Sequence, residues 1–107
     1  MTNYILLYRG PATSTEDLTA EQREQGNQAW LGWASKVGPA LVEFGTPFGA
    51  RAGVQGDGST TNASDLNGYS IVEAADLDGA KALCDGHPFL RDGTGKFAVE
   101  VYELTPM

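Results

Sequence analysis

Residues 4–9, YILLYR, form an almost wholly apolar, β-prone run. Such a run predicts a strand buried on both faces, near the centre of a sheet. Gly10 and Pro11 break it. A second pattern starts at Thr19-Ala20-Glu21-Gln22, where Thr19 and Gln22 have the spacing of a capping box. Glu21 and Glu24 follow in the first turns, where the positive end of a helix dipole favours acidic groups. The pattern predicts a helix running to about Val37 and ended by Gly38-Pro39. Trp30, Trp33 or Ala34, and Val37 share one face of it. Its first half, EQREQGNQ, is polar all round and is expected to project into solvent or to line something wet.

Residues 40–45, ALVEFG, predict a second short strand. Residues 46–67 are rich in Gly, Thr, Ser, Asn and Asp, and are long for a structureless loop. Asp57-Gly58 suits a tight primed turn and predicts a weak hairpin there. In GYSIVEA, residues 68–74, Tyr69, Ile71 and Glu73 alternate with Ser70, Val72 and Ala74 as in a third main strand. Asp76 or Asp78 can cap a second helix over 77–84, with Leu77, Ala80 and Leu83 or Cys84 as its apolar stripe and Gly86 as its terminator. Residues 96–104, KFAVEVYEL, predict the last strand, with Phe97, Val99, Val101 and Glu103 on one face.

Strand, helix, strand, strand, helix, strand is the ferredoxin-like βαββαβ plan, an α+β fold with a four-stranded antiparallel sheet. Both helices cover one sheet face in that plan. An apolar sheet face left open on a small domain predicts a symmetric homodimer.

Length and composition narrow the partners. The 107 residues suggest one domain, 1–107, large enough to bury a core without staples. Seven basic residues against fourteen acidic argue against nucleic acid and against an anionic membrane. One cysteine and one histidine cannot make an internal disulfide or a protein-only Cys/His zinc site, and no calcium-loop spacing occurs. No metal and no cofactor is expected. The longest apolar run, 5–8, is too short to span a bilayer, and the start lacks a secretory pattern, so the expected location is cytoplasmic.

Candidate chemistry centres on GHPFL, 86–90, which holds the only histidine. His87 would titrate near neutrality and is the natural proton-transfer residue. The residue before a proline is also pushed toward extended backbone, so GHP reads equally as a turn. Asp85 or Asp92 could orient the ring. Arg9, beside Tyr8 at the end of the first strand, could grip a carboxylate in a forked pair, or be a surface charge beside an acidic residue. Arg51 and Arg91 have less support. Tyr8, Trp30 and Trp33 could wall or stack a flat ligand, although large aromatics on a helix face more often belong to a core or interface. Phe48, in the GTPFG stretch, and Phe89 are the remaining candidate ligand contacts. Neither GTPFG nor DGTG matches a phosphate loop, and no Gly-x-Ser-x-Gly elbow exists. Cys84 falls on the apolar stripe, where a buried, inert thiol is expected.

Taken together, YILLYRGP, LVEFGTPFG, GYSIVEAADLDGAKAL, GHPFL and AVEVYEL resemble the YCII-related proteins, relatives of the DGPF-domain group, over almost the whole chain. The resemblance implies a bacterial dimeric α+β barrel with a pocket between the sheet and the first helix. It implies no particular reaction. Some members carry a His and an Asp on the first helix as an acid–base pair. That helix has neither here, and the Asp-Gly-Pro-Phe motif is absent. Two readings follow. The chain binds a small polar or aromatic metabolite, with cofactor-free lyase or isomerase chemistry through His87. Alternatively, it is a non-catalytic module that senses a ligand or docks a protein.

Overall fold

The computed structural model describes residues 1–11, 19–90 and 95–106. Arg91, Asp92 and most of the DGTG stretch lie outside the described residues. The main elements are β1 (Thr2–Arg9), α1 (Ala20–Val37), β2 (Leu41–Glu43), β3 (Gly53–Val54), β4 (Thr60–Thr61), β5 (Leu66–Ala74), α2 (Leu77–Ala82) and β6 (Ala98–Glu103). The four-stranded sheet has the order β2-β5-β1-β6, with every pair antiparallel. This is the predicted α+β plan, with β3 and β4 inserted as a separate hairpin.

Strand β1 lies inside the sheet, but only one of its faces is fully buried. Side chains alternate across a pleated strand. Tyr4, Leu6 and Tyr8 therefore enter the core, while Ile5 and Leu7 are half-buried on the opposite face. Both helices contribute to the Tyr4–Leu6–Tyr8 side, through Trp33, Val37 and Ala80. The far side carries Ile5, Leu7 and Ile71, aligned across the strands by the pairs Ile5↔Ile71 and Leu7↔Tyr69.

Local chemistry accounts for the helix ends. Thr19 Oγ1 accepts from the Gln22 N–H at 3.1 Å, and Gln22 Oε1 accepts from the Thr19 N–H at 2.9 Å. That closes the predicted capping box. Asp76 Oδ1 caps α2 by accepting from the Gly79 N–H at 2.7 Å. Helix α2 ends before the predicted Cys84, and its chain continues as turns: Cys84 N–H donates to Lys81 C=O and Asp85 N–H to Ala82 C=O. Gly86, with φ of 70°, then takes the left-handed conformation that turns the chain into 87–90. The hairpin also exists, with a wider turn than a two-residue primed one. Gly58 N–H donates to Gln55 C=O, Gln55 N–H donates to Ser59 C=O, and Asp57 Oδ1 accepts from Ser59.

Beyond β2 the chain clings to β5. Phe48 N–H donates to Asn67 C=O at 2.9 Å, and Pro47 bridges Gly68. Gly45 makes the bend with φ of 83°, and a Cβ there would lie 1.8 Å from the Tyr69 carbonyl oxygen. Gly45→Ala must therefore push this segment off β5. We expect a loss of about 2 kcal/mol or more in urea unfolding, and a loss within about 0.5 kcal/mol would show that the segment moves freely.

Candidate functional site

The site begins where the two helices are tied together. Trp33, on the buried face of α1, donates its indole N–H to Leu83 C=O at 2.9 Å. Lys36 Nζ, one turn on, donates to Asp85 C=O at 3.2 Å. These bonds hold the tail of α2 against α1, so the GHPFL stretch folds inward. His87 is 1 % exposed. Its ring packs against Trp33 (centroids 4.3 Å), Trp30 (4.8 Å) and Tyr8 (5.0 Å).

The hydrogen bonds in this aromatic box form one chain. His87 Nδ1 accepts from the Phe89 N–H at 3.0 Å, so the neutral ring carries its proton on Nε2. Nε2 lies 3.1 Å from Tyr8 Oη and donates to it. Tyr8 Oη donates to Ser70 Oγ at 2.6 Å, and Ser70 Oγ donates to Phe44 C=O at 2.6 Å. A backbone N–H begins the chain and a backbone carbonyl ends it. A backbone N–H only donates and a carbonyl only accepts, so all the protons point one way. Among the described residues no buried side-chain nitrogen or oxygen lacks a partner.

Dry surroundings fix the charge states. Burial pushes the Tyr8 phenol up to about 12, against the opposing Ser70 hydrogen bond. Burial pushes His87 down to about 4, so it is neutral at physiological pH. The Cys84 thiol is also pushed up by burial, which disfavours its thiolate form.

Tyr8 separates this chain from an open cleft of about 1060 Å3 between the sheet and α1. Asn27, Trp30 and Leu31 form the α1 wall, and Phe44–Pro47 with the start of β5 form the lip. Pro88, Phe89 and Phe97 close the far side. Trp30 meets Tyr8 edge-on at 5.1 Å, Phe89 tilts over Tyr8 at 5.2 Å, and Phe97 meets Phe89 edge-on at 5.2 Å.

The sequence candidates divide accordingly. Tyr8, Trp30 and Phe89 line the cleft. His87 and Trp33 lie behind it in the packed interior. Phe48 stacks on Tyr69 at 5.9 Å, beside the lip. Arg9 falls on the opposite sheet face from Tyr8, because adjacent strand residues point opposite ways. There its Nε pairs with Glu100 Oε2 at 3.2 Å, so the surface-charge reading of Arg9 fits its position. Arg51 bonds Ser64 C=O at 3.4 Å, away from the cleft. Asp85 is exposed, and the His87 ring nitrogens bond Tyr8 and the Phe89 N–H instead of a carboxylate. Among the described residues no three His, Cys, Asp or Glu side chains gather to hold a metal, and no helix is long and apolar enough to cross a membrane. Sequence reasoning missed Ser70, Phe44, Asn27 and Phe97. Ser70 had one signal, a lone hydroxyl on the strand face otherwise built from Gly68, Val72 and Ala74.

The lowered His87 pKa has a stability consequence. The unfolded chain protonates this ring near 6.5, and the folded chain near 4. Between those values the unfolded state binds more protons, so stability rises with pH and is lost on acidification. The full loss is roughly 3 kcal/mol and is complete below the folded pKa. In urea unfolding, the advantage of wild type over His87→Gln should shrink steadily from pH 7 to pH 4. An advantage independent of pH would mean that the folded ring titrates like a free one.

Comparison with known proteins bears on the fold and the family. No curated protein matches the sequence. Among solved structures, the chain is similar to 5-chloro-2-hydroxyhydroquinone dehydrochlorinase from Burkholderia phenoliruptrix, determined with 2,5-dihydroxybenzoquinone bound. The TM-score is 0.54 at 20 % identity, covering 95 % of this chain and 93 % of the other, which establishes a shared fold. The YCII-related domain matches residues 1–107. The chain therefore belongs to the YCII-related family over its whole length.

Proposed function

We propose that the protein binds a small aromatic metabolite in the cleft between α1 and the sheet. The observation that carries this reading is the run of ring faces and edges around Tyr8, contributed by Trp30, Phe89 and Phe97. Aromatic side chains at 4.5–7 Å offer offset and edge-on positions that another flat ring can extend. The fold neighbour was determined with a quinone bound, a planar six-membered ring close in shape to such a metabolite, which supports a flat ligand.

Acid–base turnover is the second reading, and the chain from His87 to Ser70 favours it, because three exchangeable groups meet beside the cleft. In the resting arrangement neither His87 nitrogen is free to take a proton. Turnover therefore needs a ligand that breaks a terminal backbone bond, with His87 acting on substrate through Tyr8. His87 is then a positioning residue and Tyr8 the catalytic one.

Homodimerisation through the far sheet face belongs to the same proposal. Ile5, Leu7 and Ile71 form its apolar centre, and Arg9–Glu100 and Tyr69–Glu43 flank it. A second copy would bury these residues by sheet-on-sheet packing. Sedimentation should give twice the chain mass, and Leu7→Glu should give monomer. A monomeric wild type at micromolar concentration would end the dimer reading.

Ligand binding is tested by titrating phenol and 1,4-hydroquinone while following tryptophan fluorescence. Trp30→Ala should weaken binding about tenfold, the equivalent of 1.4 kcal/mol. Arg9→Ala should leave it unchanged. Wild type that binds neither these compounds nor any two-ring phenol, or a Trp30→Ala variant that binds as wild type, would remove the cleft from consideration.

A further inference from the structure

The cleft is larger than one ring requires, and its apolar lining does not stop at the floor. Its volume of about 1060 Å3 sits at the upper end of small-molecule sites, which run from about 300 to 1,000 Å3. From Tyr8 the aromatic lining passes to Trp30 at 5.1 Å and on to Phe44 at 6.1 Å. At the mouth, Phe44 is 39 % exposed and Leu31, the residue after Trp30, is 63 % exposed. Single exposed hydrophobic residues are ordinary. These two continue a cleft lining, one on the helix wall and one on the lip. A single ring against Tyr8 would leave both of them wet.

We propose that the cleft selects a fused-ring aromatic of two or more rings. One ring rests among Tyr8, Trp30 and Phe89, and the next extends outward between Leu31 and Phe44. This rests on the reading of the cleft as an aromatic-binding site and names the substrate class more narrowly. Asn27, exposed on the same wall one turn before Leu31, supplies both a donor and an acceptor for one hydroxyl or carbonyl on the outer ring. The affinity gain should come from apolar area covered at the mouth.

The test is calorimetric titration of wild type and Leu31→Ala with phenol, 2-naphthol and 2-hydroxyfluorene. Leu31 is largely exposed, so truncating it does not threaten the fold. Wild type should bind 2-naphthol at least about tenfold more tightly than phenol, an increment of 1.4 kcal/mol. Leu31→Ala should weaken 2-naphthol and 2-hydroxyfluorene severalfold more than it weakens phenol. Phenol binding as tightly as 2-naphthol would overturn the fused-ring proposal and leave the aromatic cleft standing. So would a Leu31→Ala variant whose affinities for all three shift together. If none of the three binds, both the proposal and the cleft reading fail.

Discussion

Four hydrogen bonds link the Phe89 N–H, His87, Tyr8, Ser70 and the Phe44 carbonyl. They join the turn after α2, the central strand, its neighbour and the lip of the cleft, so parts distant in sequence share one geometry. Tyr8 and His87 are separated by 79 positions, and Tyr8 and Ser70 by 62. The two middle bonds are buried and the two terminal ones partly so, and a buried polar group left without its partner costs about 1–3 kcal/mol. Breaking a middle link would therefore be costly, and the aromatic rings packed on these groups are held in place with them. Shape in the cleft follows from polarity beneath it.

The two helices matter to this arrangement mainly through their ends. Trp33 and Lys36 reach across to the carbonyls of Leu83 and Asp85, just where α2 has unwound. Those carbonyls are free because the helix stops there. Had α2 continued to Cys84 as a regular helix, the 87–90 turn would be displaced and His87 would not reach Tyr8. A short helix, a left-handed Gly86 and two cross-helix donors together carry the only imidazole into the core.

Much of the fold was legible in the chain, because periodicity and caps act locally. Thr19 with Gln22, Asp76 before α2, Gly86 after it and the alternation of GYSIVEA all report their own neighbourhoods. The site was less legible. GHP does turn the chain, and a turn can be buried: nothing near His87 in sequence names Tyr8 or Ser70 as its partners. Arg9 stands next to Tyr8 in the chain, and the pleat sends the two to opposite faces. Sequence adjacency misleads on a strand, where neighbours never share a side. Strand β1 looked fully enclosed because Ile5 and Leu7 are as apolar as Leu6, and composition alone cannot say what covers them.

The hydrogen-bonded chain begins and ends on main-chain atoms of Phe89 and Phe44, whose side chains both line the cleft. Any residue with a backbone N–H can stand at 89, and any residue at all supplies a carbonyl at 44. The walls can thus be re-lined, wider or narrower, without removing a single member of the polar framework. A chain on this plan can change the lining of its cleft while keeping how it stands up. Positions 44 and 89 are where an engineer would look first to reshape the cleft.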